Sequence, residues 1–569
     1  MSGCPRVPLT LGVTGHRNLV AAELPAIKMR LRELFSDLER RFPQTPLRLL
    51  SPLAEGADQV AASIAREMGI DVLVPLPFSV EKYTEDFDTT AAADAFLALA
   101  EGNEQVQIHD LDGSELLADS GDGERANAYA RVGAYVSDHC EILIALWDGK
   151  PSGHIGGTAQ VVDYHQFGEM AGMRATEPGL RMVAEDDTDL VFHIACSRAT
   201  ADGAPAEGLS PGSARWLVAD PDRVEVPDIP ASLALMIRRA GELNEDVSRL
   251  ASSVRPTADV LGGWEDGMED HPEVARTGCF FAAADHLANY YRRRHRAILR
   301  TLYLFAVLMG ASFIAYADLN SDGMIIAFLA LFFVGFGLYQ WANSKQWHRR
   351  FLDYRALAEG LRVQFYWRLA GVSGSLRTDF AYDNFLHKQD VEIGWIRNVM
   401  RFAGTPEGIY RPPDDHLDRV IDLWIGKPRG TGQLGYFQAR YQSHRKHVAA
   451  TSTLVASCMW AGIAITITLA LFQRGLPATV VNVLVAGMGL LPLIAAVREA
   501  YAHKVAEKEL LNQYSFMLRL YREARFRLSR CSTPDQKRQI LRALGEAALD
   551  EHAEWILVHR GRPLEPGKL

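Results

Sequence analysis

The feature that most constrains this chain is an uncharged apolar hairpin over residues 301–342. Its first arm reads TLYLFAVLMGASFIAYA, the polar break DLNSDG follows, and the second arm reads MIIAFLALFFVGFGLYQWA. Each arm is about 17–19 residues long and, at roughly 1.5 Å per residue, spans most of a hydrocarbon core of about 30 Å. A buried hairpin of a soluble protein keeps a polar stripe, whereas these arms are apolar all round. Arg292, Arg293, Arg294, His295 and Arg296 precede the hairpin, and Lys345, His348, Arg349 and Arg350 follow it. The turn carries only Asp318 and Asp322. Basic flanks stay on the cytoplasmic side during insertion, so both ends of the hairpin are predicted there.

The same pattern recurs. Ser443-His444-Arg445-Lys446-His447 leads into VAATSTLVASCMWAGIAITITLALFQ, a turn with Arg474, Gly475 and Pro477 follows, and ATVVNVLVAGMGLLPLIAAV runs into Arg498, Lys504 and Lys508. Beyond each hairpin helical spacing continues, predicting one helix of about 45 residues that carries each second arm onward. Phe365, Trp367, Tyr514 and Phe516 are its candidate core residues. Each unit then ends on a related signature: Asp390 with Trp395-Ile396, and Asp550 with Trp555-Ile556. A shared order of features suggests a duplication. The expected membrane part therefore has four helices in two repeated hairpins, with spans near 299–317, 324–343, 449–472 and 477–497.

A chain of 569 residues implies several domains. Its net charge of −10 argues against a general nucleic-acid binder, and the basic clusters read as topology signals. The six cysteines show no metal-ligand spacing and fit reduced thiols of a cytoplasmic protein. The N-terminus carries no long apolar run, so no secretory leader is expected. The localisation read from these signals is the inner membrane, multi-pass, with both termini cytoplasmic.

From Pro5 to Arg198 strands alternate with helices: VPLTLGV, LRLLSPL, DVLVPLPF, VQIHDL, EILIALW and TDLVFHIACSR are the strand candidates. Alternation predicts a mainly parallel sheet covered on both faces, an α/β doubly wound domain whose ligands bind beyond the carboxyl ends of its strands. Three of those loops hold unusual residues. Loop one has Gly12, Thr14, Gly15, His16 and Arg17, where glycines admit a phosphate and the guanidinium can pair with it. Loop two has Glu55, Gly56 and Asp58 at a helix start, suited either to capping or to a ribose hydroxyl. Loop five has Trp147, Asp148, Gly149 and Lys150, then Gly153, His154, Gly156, Gly157 and Thr158 before a helix, a set of free backbone N–H groups for an anion. Neither a GxGxxG fingerprint nor a P-loop is present, which argues against ATP hydrolysis of the P-loop type.

These motifs, Gly12-Val13-Thr14-Gly15-His16-Arg17, Glu55-Gly56-Ala57-Asp58, Leu146-Trp147-Asp148-Gly149 and Gly156-Gly157-Thr158, together with Leu76-Pro77-Phe78, Tyr83, Asp86 and Phe87, resemble the SLOG domain. That superfamily includes phosphoribohydrolases and nucleotide-sensing domains of bacterial conflict systems. The resemblance implies a Rossmann-like fold and a nucleotide-binding role for Gly12, Thr14, Gly15, His16, Arg17, Glu55, Gly56, Asp58, Tyr83, Trp147, Asp148, Gly156, Gly157 and Thr158, with no cofactor and no metal. The enzymatic members carry PGGxGTxxE. Here Val161 stands at the acidic position, Asp163 lies two residues on, and the proline is absent, so the expectation is binding without turnover.

The remainder of the chain resembles the two-helix transmembrane SLATT family, on the basic lead-ins, the hairpins, Ala358-Glu359, Ala506-Glu507 and the ends at Trp395 and Trp555. That resemblance implies a pore-forming or membrane-disrupting effector in nucleotide-triggered bacterial defence. The expected domains are 1–200 (nucleotide-binding), 201–278 (connector, with Ala199 to Pro230 an extended link with short strand pieces and an acidic loop over 262–278), 279–400 (first membrane unit), 401–435 (linker) and 436–569 (second membrane unit). Gly310, Ala311, Gly335, Gly337, Gly462, Gly487 and Gly489 permit close helix packing. Four helices per chain call for a homo-oligomer to enclose a pore. The partners expected are a nucleotide second messenger and the lipid bilayer, and no nucleic acid. Two other readings stay open: a membrane-anchored hydrolase of a nucleotide or nucleotide-sugar using Glu55, Asp58 or Asp163, and a ligand-independent scaffold.

Overall fold

Leu9–Gly15 (β1) and Ile142–Trp147 (β5) are short, near-continuous apolar runs whose residues are buried along almost their whole length. Such runs suit the centre of a parallel sheet covered on both faces, and there they sit, with Leu11 opposite Ile142 and Gly15 opposite Leu146. The computed structural model describes residues 4–107, 122–151, 155–168, 170, 190–200, 202–220, 222–250, 272–319, 321–372, 393–405, 414, 416–427 and 430–560. The chain divides into two compact units, one formed by Met1–Ala283 with Gly360–Pro413, the other by Ala284–Glu359 with Asp414–Leu569.

The first unit is a mixed α/β sheet. Helix α1 (Leu24–Arg41) follows β1, then come β2 (Leu47–Leu50), α2 (Ala57–Glu67), β3 (Asp71–Leu76), α3 (Val80–Thr84), α4 (Thr90–Ala100), β4 (Glu104–Gln107) and α5 (Asp122–Asp138). After β5 stand α6 (Thr158–Phe167), β6 (Val191–Ala195), β7 (Ala214–Asp220), β8 (Asp222–Val226) and α7 (Ala231–Leu250). The strand order is β4-β3-β2-β1-β5-β6-β7-β8. Neighbours from β4 to β6 are parallel, whereas β6–β7 and β7–β8 are antiparallel. Within 199–230, read from sequence as an extended link with short strand pieces, β7 and β8 form a hairpin that extends the sheet. Its β8, DRVEV, is charged and largely exposed, which protects a free edge from further pairing.

Helix α1 buries Ile27, Leu31, Leu34, Phe35 and Leu38, one face at helical spacing. Helix α2 buries Ala57, Ala61, Ala62, Ile64 and Ala65, mostly small side chains that bring its axis close to the strands. Asn244 of α7 holds the N-terminal segment: its amide donates to the carbonyls of Val7 (2.9 Å) and Gln44 (2.8 Å), and its oxygen accepts from Val7 N–H at 2.8 Å.

The second unit is helical, and three further helices belong wholly or partly to the first. Helix α8 spans Pro272–Asp318, α9 Gly323–Ser344, α10 Trp347–Leu369, α11 Gly394–Gly404, α12 His416–Trp424, α13 Gly432–Phe472, α14 Ala478–Lys504, α15 Glu507–Leu528 and α16 Pro534–Arg560. In the first unit, the last-turn carbonyls of α11 have side-chain donors. Thr277 Oγ1 donates to Ala403 O at 2.8 Å and Arg368 Nη2 to Gly404 O at 2.6 Å, and Arg276 donates to Thr405 O. Phe365 and Trp367 of α10 are fully buried there, as expected for core residues.

Four helices are long and apolar enough to cross a membrane, each with an 18-residue window of mean hydropathy between 1.9 and 2.3, consistent with a multi-pass membrane protein. Their outward residues are apolar too: Ile326, Phe333, Trp460 and Leu471 are exposed. Glycines stand where these helices approach. A Cβ on Gly310 would meet Leu493, one on Gly489 would meet Ile314, and one on Gly335 would meet Phe305. Gly337 faces open space instead. Tyr514 is half-buried and Phe516 exposed, so the latter is not a core residue of this unit.

The single long helix expected beyond each second arm is corrected in both places. Between α9 and α10 the chain breaks at Gln346, φ 51°, and between α14 and α15 at Ala506, φ 56°. The two breaks share one bonding pattern. Lys345 N donates to Trp341 O and Gln346 N to Asn343 O; Val505 N donates to Tyr501 O and Ala506 N to His503 O. One left-handed residue tightens the helix end and redirects the chain. Asp390 and the acidic residues Glu265, Asp266, Glu269 and Asp270 lie outside the described residues.

Candidate functional site

The parallel register brings the carboxyl ends of β1 and β5 side by side, and His16 N–H continues the ladder to Leu146 O at 3.1 Å. Loop one then leans on loop two. Gly56 has φ 88°, and a Cβ there would lie 2.1 Å from Arg17 O; Gly15 meets Ala57 in the same way. The first N–H of α2, on Ala57, donates to His16 O at 3.1 Å. Gly15 and Gly56 are therefore required by backbone approach between loops. Gly12 sits inside β1 against Cys140 and Val136, and Thr14 is buried beside it.

His16 and Asp148 meet at the top of the two strands. His16 Nε2 lies 3.2 Å from Asp148 Oδ1 and accepts Asp148 N–H at 3.0 Å. A nitrogen that accepts a backbone N–H carries no proton, so this contact is between a neutral imidazole and a carboxylate. Burial holds the His16 pKa below its usual value, with Asp148 opposing, in agreement with that geometry. Asp148 is itself buried, accepts Lys150 N–H at 3.0 Å and pairs with Arg198 Nη2 at 2.8 Å. It ties the β5 loop to the β6 loop. Trp147 is buried, donates Nε1–H to Lys150 O at 2.9 Å and lies against His193 and Arg223.

A second cluster lies around Arg17. Its guanidinium stands 5.4 Å over the Tyr129 ring of α5. Tyr129 Oη donates to Asp86 Oδ2 at 2.6 Å, and Arg125 pairs with the same carboxylate. Tyr83 is buried among Phe87, Phe96 and Tyr129, and burial pushes its phenol pKa up. Asp58, also buried, has its carboxyl pushed up to about 8 by burial, against the pull of the Ala54 backbone and of Arg17. Glu55 accepts from Asp88 N at 3.2 Å and Thr89 Oγ1 at 3.4 Å, joining loop two to the start of α4.

Loop five reaches this cluster through the backbone. Gly156, φ 74°, lies against the Tyr129–Ala130 main chain, where a Cβ would be 2.8 Å from Ala130 N, and its N–H donates to Gln160 Oε1 at 3.1 Å. Gly157 is the N-cap of α6 and Thr158 its first residue, with no side chain capping that end. Gly153 and His154 lie outside the described residues. Tyr129 thus meets Arg17 through its ring and Gly156 through its main chain. Arg17 is exposed and has no carboxylate ion pair among the described residues.

Val161 is buried against Gly133, so its position faces helix α5. Asp163 pairs with Arg223 Nη2 at 2.8 Å, on another side of α6. Sequence reasoning overlooked Tyr129, Arg125 and Arg198. Arg198 ends the sixth strand run and was within reach of the loop argument, whereas Tyr129 and Arg125 sit mid-helix with no local signal. No group of three or more metal-ligating side chains occurs among the described residues. The chain matches no protein-family signature, no curated protein and no solved structure.

Proposed function

We propose that this protein is a membrane effector whose α/β unit senses a nucleotide-derived messenger and gates a conducting or membrane-disrupting assembly of its apolar helices. The observation that carries the reading is the exposed Arg17 over the ring of Tyr129, whose main chain Gly156 meets just before the α6 start at Gly157-Thr158, which no side chain caps. An unneutralised guanidinium, a helix N-terminus and an aromatic face together suit a phosphate with a base attached. The parallel run from β4 to β6 supports a doubly wound, SLOG-like reading of the sheet. A duplicated SLATT-like hairpin is supported by the two breaks. Gln346 and Ala506 are separated by the same sequence interval as Trp395 and Trp555, and their flanking hydrogen bonds match. On this reading the protein is an inner-membrane homo-oligomer with cytoplasmic termini, acting in bacterial defence.

The test is thermal stabilisation of the purified full-length chain across cyclic dinucleotides, cyclic oligonucleotides, ADP-ribose isomers and NAD, with ligand recovery measured. The expected result is a shift with the ligand recovered intact, lost in Arg17→Ala, and liposome leakage that depends on the same compound. Leakage indifferent to Arg17→Ala overturns the gating scheme. One observation favours hydrolysis instead: Asp58, with its raised pKa beside Arg17, is the kind of perturbed carboxyl found in active sites. Ligand consumption abolished by Asp58→Asn supports that reading.

A further inference from the structure

The second unit holds a cavity of about 110 Å³ walled in part by the basic residues that flank its apolar arms. A single water needs roughly 10–15 Å³ on this measure, so the space holds several waters or one tetrahedral oxyanion with its shell. Arg292 and Arg296 enter it from α8, Lys504 from the end of α14, Arg355 and His348 from α10, and Glu551 from α16. It lies at the level of both helix breaks, since His348 follows Gln346 and Lys504 precedes Ala506.

The charges inside do not balance. Arg355 is paired with Glu359 and reaches Asp285 at 3.4 Å. Arg292 donates only to the neutral Asn289 Oδ1, at 2.7 Å, and neither Arg292 nor Arg296 has a carboxylate partner among the described residues. Both are half-buried, and the two guanidiniums lie within electrostatic reach of each other. Glu551 offsets little of this, because burial and then Glu554 push its carboxyl up to about 7. The His348 ring lies 4.5 Å from that of His295, tilted by 33°, and its Nε2 donates to His559 O at 3.3 Å. Half-buried Arg292 and Arg296, with no carboxylate beside them, are costly around a void unless an acceptor fills it.

We infer that this cavity is a binding site for a phosphoryl anion, held by Arg292 and Arg296. Two guanidiniums one helical turn apart suit the bidentate recognition of phosphate oxygens. Arg296 stands five residues before the apolar arm at Thr301, about 7.5 Å along a helix, which is the depth of a lipid headgroup. The phosphoryl group therefore has two available sources, an anionic lipid or soluble phosphate.

The test uses the full chain. In neutral detergent, inorganic phosphate and pyrophosphate are titrated against chloride at equal ionic strength while thermal unfolding is followed. In a parallel arm, nanodiscs of phosphatidylcholine are compared with discs containing phosphatidylglycerol. One arm or both stabilise the wild type, and the effect weakens at least tenfold in apparent affinity in Arg296→Gln and Arg292→Gln. It persists in Arg300→Gln, an exposed arginine of the same run, and in Arg17→Ala, which separates this site from the sheet-end site. Should Arg296→Gln fail to fold, Arg296→Lys keeps the charge and loses the fork, and it weakens the effect while retaining stability. The inference is overturned by no effect in either arm, by equal losses in Arg296→Gln and Arg300→Gln, or by loss in Arg17→Ala.

Discussion

Replacing Gly56 by alanine isolates the contact that holds loops one and two together. Gly56 has φ 88° and ψ −114°, a region that residues with a Cβ scarcely enter, and strain of this kind costs about 1–3 kcal/mol. The new methyl would also stand 2.1 Å from Arg17 O, a backbone atom. It cannot step aside freely, because the neighbouring His16 carbonyl accepts Ala57 N–H at 3.1 Å. Losing that bond adds about 1 kcal/mol, giving a total of roughly 2–4 kcal/mol. Gly69 is the matched control: its φ is 74°, yet nothing lies within 4 Å of its would-be Cβ. Gly69→Ala therefore costs only the left-handed penalty of about 1–2 kcal/mol. In differential scanning fluorimetry of the full chain, at about 2–4 °C per kcal/mol, Gly56→Ala lowers the apparent melting temperature by about 4–16 °C and Gly69→Ala by about 2–8 °C. Gly56→Ala must exceed its control in the same preparation and abolish any nucleotide-induced shift. Equal losses in the two variants refute the claim that loop contact, rather than backbone conformation alone, requires glycine at position 56.

Other outcomes follow from single contacts. Ala506→Gly relieves a left-handed alanine, raising or preserving the melting temperature, whereas Ala506→Val lowers it by roughly 1–2 kcal/mol equivalent. Burial raises the folded pKa values of Asp58 and Glu141 to about 8 and about 7, above the usual carboxylate range. The folded state therefore holds protons that the unfolded state has released. Their contribution is complete below about pH 4 and is lost as pH rises towards 8, so a stability–pH series falls over that window and Asp58→Asn flattens it. Arg48 is buried and bonds both the exposed Asp71 (2.7 Å) and the half-buried Glu104 (2.6 Å), so Arg48→Met costs about 1 kcal/mol in chemical denaturation.

The sheet and the apolar helices were legible because each rests on local periodicity. LTLGVTG and ILIALW read as buried strands from seven or six residues apiece, and TLYLFAVLMGASFIAYA needs no partner to declare itself apolar. The site was legible only as far as its loops. Glycine positions can be listed from sequence, but whether a glycine serves a ligand or a neighbouring backbone depends on a partner far along the chain. Gly56 answers to Arg17, Gly156 to Ala130, and Gly12 to Cys140. Asp148 looked like a ligand for the same reason, and only the fold brings Arg198 and Lys150 N–H to it. Tyr129 had no signal, since a tyrosine within AYARVGAYV reads as one more packed aromatic.

The two helix breaks were illegible for a different reason, and they bear on mechanism. Neither Gln346 nor Ala506 is a residue that sequence rules associate with a left-handed turn; alanine is the strongest helix former. A conformation that disfavours its own residue type persists only when surrounding packing over-determines it. Finding it twice, at matching places after the second and fourth apolar helices, points to the packing at those levels as the cause. The charged cavity lies at that level, with Lys504 and Val505 at one break and His348 beside the other among its walls. If the breaks are held by that packing, filling the cavity and straightening a break are opposing events. Ala506→Gly, which makes the break intrinsically easier, should then tighten phosphate or anionic-lipid binding, and Ala506→Leu, which favours a continuous helix, should weaken it. Equal affinities in the two variants would uncouple the breaks from the cavity and leave the anion with a purely local role.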